Sequence, residues 1–400
     1  MATRAVNREP PGPADVERTP VNPPARLLRT VVVYAALLSW GAVHSLVSAQ
    51  APSADRLSAR ADSAVMAELR AQKIPGVSLG VIHRGKIVKA KGYGLASIEL
   101  NVPVTPRSVF QTGSVGKQFT AAAVMMLVES GGLSLDDRII QWFPEAPMTW
   151  REITVRHLLT HTSGIPDYGA EESTMGKGVV DFHRPYTEDE LVRTFAALPL
   201  DFPPGDKWSY SNTGYVILGA LIRRVTGQFY GDFLQEHVFR PLGMTATRII
   251  SEADIIPNRA AGYRLVEGQI KNQEWVDPSL NTTADGALYS SVPDMAKWDE
   301  ALYGEKLLKR ASVEQMWTPV KLTSGKTAPY GFGWRVDTLD GHRRVWHDGG
   351  WQGFTMSIQR YPDDGLTIVV FTNLDEDNSN PAKIAERVAA IYLPVARSLK

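Results

Sequence analysis

A chain of 400 residues that is 44% hydrophobic can bury a large core, as one big domain or as two. Lysine plus arginine and aspartate plus glutamate both number 43, so no bulk basic field draws in nucleic acid and no acidic excess sets a partner. The absence of cysteine removes disulfides, thiol catalysis and cysteine-based metal sites together.

The first 25 residues are rich in proline and charge, after which Arg26 and Arg29 precede an apolar run from Val31 to Val47. A basic flank, a short apolar core and the small-residue step Val47-Ser48-Ala49 read as a secretory signal peptide cleaved near Ala49. Residues 1–49 are then extension and signal, and residues 50–400 the mature domain, expected to be secreted or periplasmic. The rival is a retained membrane anchor, for which the run is short and interrupted by Ser39 and His44. Membrane contact is expected only if the segment stays uncleaved.

Leu57, Ala61, Val65 and Leu69 recur every fourth residue and predict an amphipathic helix. "VSLGVIHRGKIVKAKGYG" follows as two β-rich runs around the polar turn "HRGK". From Gly116 to about Leu242 most apolar runs have helical spacing, broken by "SGI", "FPPG" and "RPLG". From Gly331 onward "YGFGWRVD", "RRVWHD", "FTMSIQRYP" and "LTIVVFTN" read as strands. Asn380-Pro381 then cap and start a last helix carrying Ile384, Val388 and Ile391. Strands at both ends around a helical middle predict an α/β fold of the α+β type. One antiparallel sheet is built from both chain ends, flanked by the terminal helices, with a mainly helical subdomain inserted and a cleft between the two parts.

Three short motifs carry residues suited to chemistry. In "QTGSVGKQFT" Ser114 and Lys117 lie three residues apart at a helix start, so the amine can approach the hydroxyl. A lysine beside the core-facing run "AAAVMML" is disfavoured as an ammonium and can accept a serine proton. "FPPGDKWSYSNTGYVILG" sets Tyr210 and Asn212 two apart after a Pro/Gly loop, able to point into one cavity. "RRVWHDGGWQGF" sets His347 on a strand whose Gly349 and Gly350 let a substrate lie against the main chain. Singly, each has a plainer reading: a capped helix with a surface lysine, a packed tyrosine, a turn asparagine, a strand-edge histidine.

In this order and spacing, "SVGK", "YSN" and "HDG" resemble the active-site serine hydrolases related to β-lactamases and penicillin-binding proteins. The likeness is to the class C β-lactamase-like branch, which also holds D-alanyl-D-alanine carboxypeptidases, D-aminopeptidases and esterases. It runs from about residue 55 to about 395 through "LLTHTSGIPDY", "PLGMTAT", "GALYSSVPDMAKW" and "YGFGW". The resemblance implies Ser114 as the nucleophile of an acyl-enzyme, with Lys117 sharing or relaying its proton. It implies Tyr210 as general base and then acid, Asn212 as holder of Lys117 and a substrate carbonyl, and the amides of Ser114 and Gly350 as oxyanion hole. His347 stands where β-lactamases of this type carry lysine, which weakens that activity and leaves the peptidases and esterases. The expected substrate is a small-molecule ester, a peptide or a cell-wall-derived compound, with no metal or organic cofactor. A β-lactamase, or a penicillin-binding or sensing protein that does not turn over, is the alternative.

Two further signals compete. "GVSLG" matches the Gly-x-Ser-x-Gly nucleophile elbow, but Ser78 sits mid-strand where an elbow needs strand, sharp turn and helix. His157 and His161, four apart, could ligate zinc; no glutamate follows His157 as a metalloprotease requires, so a structural role is favoured. Trp351, Trp275 and Tyr168 are candidates to line the cleft.

Overall fold

The computed structural model describes residues 53–169 and 179–399. The proposed signal segment lies outside them. The fourfold apolar spacing forms α1 (Ala54–Ala71), capped by Ser53, whose hydroxyl accepts the Arg56 N–H at 3.4 Å. The hairpin follows as β1 (Gly76–His83) and β2 (Lys86–Ser97), and β3 (Val102–Pro103) borders β2. The inserted part contributes α2 (Lys117–Glu129), α3 (Asn212–Thr226) and α4 (Val292–Ala301). The chain then returns to the sheet with β4 (Arg335–Leu339), β5 (His342–Trp351), β6 (Phe354–Tyr361) and β7 (Leu366–Thr372). It closes with α5 (Pro381–Tyr392), whose first turn is capped by Asn380 accepting the Lys383 N–H at 2.9 Å.

The sheet runs β4-β5-β6-β7-β1-β2-β3, antiparallel throughout. Pairing of β1 with β7, from Val77 opposite Thr372 to His83 opposite Leu366, joins the two chain ends as expected. Alternation along the strands sorts the apolar residues. Leu366, Ile368 and Val370 of β7 face α1 and α5, whereas Val369 and Phe371 face the larger core built with α2, α3 and α4. The cleft opens where the start of α2 meets β5.

Two features depart from the sequence reading. The middle is not purely helical: it holds the hairpin Tyr263–Val266 with Gln269–Asn272, and a ribbon of Phe110–Gln111, Leu288–Ser290 and Arg248–Ile249. Pairings two residues long, between segments far apart in sequence, leave no readable period. The strand expected from Tyr330 begins only at Arg335, because Gly331 and Gly333 break the preceding stretch into turns. Among the described residues no helix is long and apolar enough to cross a membrane.

Candidate active site

Ser114 lies on a 3₁₀ turn, Gly113–Gly116, and the α-helix proper begins at Lys117. An α-helix from Ser114 was expected, and the tighter turn matters: with three residues per turn, positions i and i+3 eclipse. Lys117 Nζ therefore stands 2.9 Å from Ser114 Oγ. It also donates to Asn212 Oδ1 at 2.7 Å and to the carbonyl oxygen of Asp285 at 2.6 Å. These three acceptors match the three N–H bonds of an ammonium. Lys117 is fully buried and, among the described residues, forms no ion pair with a carboxylate. Its charge is solvated by neutral acceptors, one of which is the candidate nucleophile, an arrangement that costs free energy and that a capped surface lysine would not need.

Backbone-on-backbone packing fixes the amides next to Ser114. Gly113, at φ +49°, adopts the left-handed region, and a methyl added there would fall 2.5 Å from the nitrogen of Gly350. A methyl on Gly349 would fall 2.5 Å from the nitrogen of Ser114. The turn and β5 can approach this closely only with glycine on both sides. The amides of Ser114 and Gly350 are thereby brought to one corner of the cleft, a geometry suited to holding an oxyanion.

Tyr210 and Ser211 end the Pro/Gly loop, and Asn212 is the first residue of α3. The Tyr210 hydroxyl is buried without a hydrogen-bond partner among the described residues. Lys117 Nζ lies 5.0 Å from the centre of its ring. Asn212 is oriented by Asp167, whose two oxygens accept its backbone N–H at 3.1 Å and its side-chain N–H at 3.2 Å. That leaves the Asn212 carbonyl oxygen turned to Lys117. Burial pushes the Asp167 carboxyl up from its ordinary pKa, against the pull of Lys117. Tyr168, next along, donates its hydroxyl to Asp285 Oδ2 at 2.7 Å.

His347 lies in β5 and is 2% exposed. Its Nδ1 faces the Asp348 carbonyl oxygen at 2.5 Å and so carries the proton, which makes Nε2 the acceptor for the Tyr330 hydroxyl at 2.9 Å. Burial, reinforced by Lys117, pushes its pKa down to about 3, so the imidazole is neutral. The positive charge on this wall comes instead from Arg335 in β4. Its guanidinium lies 5.5 Å from the Trp346 ring centre, 5.8 Å from Tyr210 and 6.0 Å from Trp208, with no carboxylate partner among the described residues.

Two recesses meet at Ser114, Tyr210 and Gly350. One, of about 460 Å³, carries Asp167, Tyr168, Asn212, Asp285 and Trp351. The other, of about 880 Å³, carries Arg335, Trp346, His347 and Asp348. Glu376 borders both, so close over Gly350 that a methyl on the glycine would collide with its carboxylate. Burial, then the nearby Asp377 and Asp375, push its carboxyl up. All six residues expected at the site are thus gathered around one corner. The sequence reading missed Asp167, Asp285, Glu376 and Arg335, which arrive from separate loops and strands with no local pattern. Tyr168 and Trp351 line the cleft, whereas Trp275 is half-exposed against His183 beyond it.

The competing signals resolve structurally. Ser78 is fully buried in β1, its hydroxyl on the Thr105 carbonyl at 3.3 Å. His157 Nδ1 accepts the Thr154 N–H at 3.2 Å inside a helix cap, and His161 Nδ1 accepts the Ser211 N–H at 3.1 Å. Each imidazole is committed to backbone, and among the described residues no group of three or more histidines and carboxylates could hold a metal.

The family model described as Beta-lactamase matches residues 61–393, and the chain belongs to that family of serine hydrolases. Penicillin-binding protein 4* of Bacillus subtilis is 32% identical over 309 residues, 73% of this chain and 67% of that protein. A D-aminopeptidase of Gluconobacter oxydans is 26% identical, over 80% of this chain and 59% of its own length. Among solved structures, an octameric penicillin-binding protein homologue from Pyrococcus abyssi superposes with a TM-score of 0.73 at 30% identity, covering 85% of this chain and 78% of that one. The D-amino acid amidase of Ochrobactrum anthropi, complexed with L-phenylalanine amide, gives 0.71 at 26% identity, covering 84% and 98%. The chain is a β-lactamase-fold hydrolase related to penicillin-binding proteins and D-aminopeptidases.

Proposed function

We propose that the protein cleaves an amide or ester bond through a covalent acyl-serine intermediate on Ser114. The observation that carries this reading is the fully buried Lys117, which has no carboxylate counterion among the described residues and is held 2.9 Å from the Ser114 hydroxyl. In the reaction, Tyr210 acts as general base toward the Ser114 proton, directly or through Lys117, while Oγ bonds to the substrate carbonyl carbon. The amides of Ser114 and Gly350 hold the oxyanion. On collapse the bond to the leaving group breaks, and Tyr210 returns the proton to it. Water then attacks the acyl carbon in the same way and frees Ser114. A fluorophosphonate should label Ser114 alone; labelling of Ser78 in its place would overturn the site.

A finer reading concerns the substrate. Neutral His347 alone would favour short acyl esters, or amides lacking a carboxylate, over penicillins. Arg335 supplies on that wall the charge His347 withholds, and acidic side chains line both recesses, Asp167 and Asp285 in one, Asp348 and Asp377 in the other, with Glu376 bordering both. A cleft with both signs favours a peptide-like substrate carrying its own charges, in line with the peptidase and amidase relatives. Turnover of a D-aminoacyl amide, a D-Ala-D-Ala peptide, a butyrate ester and a cephalosporin, with intact-mass trapping of each acyl-enzyme, separates these activities from a slow penicillin-binding or sensing role. Faster turnover of the butyrate ester than of either peptide-like substrate would overturn the preference. Export, with cleavage near Ala49, is proposed from the N-terminal composition, and the N-terminal sequence of the exported protein tests it.

A further inference from the structure

The zinc-like histidine pair left His161 without a task, yet it is deeply built in beside Tyr210. It is 1% exposed and adopts the left-handed region at φ +59°, a conformation disfavoured for a residue with a side chain. That backbone turn lets one residue hold the "SYS" segment at two points. The His161 carbonyl oxygen accepts the Ser209 N–H at 3.0 Å, and Nδ1 accepts the Ser211 N–H at 3.1 Å. Tyr210 lies between those anchors, with its ring centre 4.3 Å from that of His161. The imidazole also meets Tyr330 at 4.6 Å and Tyr215 at 5.2 Å.

We propose that His161 is a positioning residue for the reaction, fixing the Tyr210 phenol toward Ser114 and Lys117 by its ring and by its grip on the backbone either side. This rests on the acyl-serine reading above. Asp167 holds Asn212 in the same manner from the same loop, so residues 161 to 168 template both polar positions of the "YSN" segment. The grip requires a bare Nδ1, which puts the ring proton on Nε2. Nε2 has no hydrogen-bond partner among the described residues and is surrounded by aromatic rings. Burial first, then Lys117, hold the imidazole neutral, well below its ordinary pKa. An imidazolium would forfeit the Ser211 bond.

Three substitutions separate the contributions. His161→Gly relieves the backbone and removes ring and acceptor; His161→Asn tolerates positive φ and keeps an acceptor; His161→Phe keeps a ring and loses the acceptor. The readout is fluorophosphonate labelling of Ser114, resolved into the inactivation rate and the reversible binding constant, with folding checked by thermal melts. In His161→Gly the rate should fall about a hundredfold, the scale of a misplaced general base, with binding changed less than about threefold. His161→Asn should recover about tenfold of that loss and exceed His161→Phe. A Gly variant labelled within threefold of wild type, or an Asn variant no faster than Phe, overturns the proposal. If the Gly variant does not fold, the Asn and Phe pair decides. Failure of the wild type itself to be labelled would sink the acyl-serine reading, an outcome distinct from unchanged labelling in the variants.

Discussion

Both sides of the central sheet bury an apolar core, and they differ in how they bury polar groups. Toward α1 and α5, Val77, Leu79, Val81, Ile368 and Val370 meet Leu57, Val65, Ile384 and Val388 in a layer held by apolar burial. Its notable buried charge, Glu68, is met by Lys383 at 3.2 Å and Arg387 at 2.9 Å. Toward the inserted part, Lys117, His161 and His347 are buried with neutral or backbone partners in place of counterions. The first side is interchangeable in detail, since the hydrophobic effect has no direction. The second is directional, because each polar group has one orientation that satisfies it. The candidate site lies on the side with the directional polar groups.

The largest effects expected from breaking this contrast lie on the polar side. Lys117→Ala and Tyr210→Phe should each lower kcat by a hundredfold or more, and the double variant should lose far less than the product, since both serve one proton transfer. Steady-state kinetics on a single ester check this; full activity in either variant excludes the mechanism. On the apolar side Ile368→Ala should cost about 2–5 kcal/mol in urea unfolding and leave kcat within about twofold. A large kcat loss at preserved fold would dissolve the distinction between the sides.

A third outcome comes from pH. Unfolded His347 binds a proton below about 6.5, whereas the folded residue, held down to about 3, does not. Between those values the unfolded chain binds more protons, so this group's effect is that stability rises with pH and falls as pH drops. At pH 5 the loss is roughly 2 kcal/mol relative to pH 8. Asp348, its carboxyl pushed up to about 6 by burial, acts in the opposite sense and is common to wild type and variant. His347→Gln should therefore gain about 2 kcal/mol relative to wild type between pH 8 and pH 5 in urea unfolding. An unchanged difference would mean that the buried imidazole takes up its proton in place.

The smallest effect concerns Arg335. Arg335→Gln should raise KM about tenfold for a substrate with a free carboxylate, and change little for a neutral ester, as for loss of one charge-assisted contact. Equal effects on both substrates would remove Arg335 from recognition.

The legibility of these features follows their range. The i, i+3 relation of Ser114 and Lys117, the fourfold period of α1, the alternation in β6 and the apolar run of β7 are local, and the sequence displays them directly. That one sheet is built from both chain ends follows from strands at each end, whereas the pairing of β1 with β7 is seen only in the fold. The hydrogen bonds of Asp167 to Asn212, of Tyr168 to Asp285 and of Ser211 to His161 join positions 45 to 117 residues apart, and nothing in the spacing announces them. His161 was visible as a histidine in "THTSG" and was judged structural. Its contact with the rings around Tyr210 required the fold.

The most direct test of the account is the site of acylation. Separate incubations with a fluorophosphonate and with an activated ester, each followed by intact-mass measurement and peptide mapping, should place one adduct on Ser114, with none formed in Ser114→Ala and a rate reduced at least a hundredfold in Lys117→Ala. An adduct on any other serine, or labelling of Lys117→Ala at the wild-type rate, would contradict it.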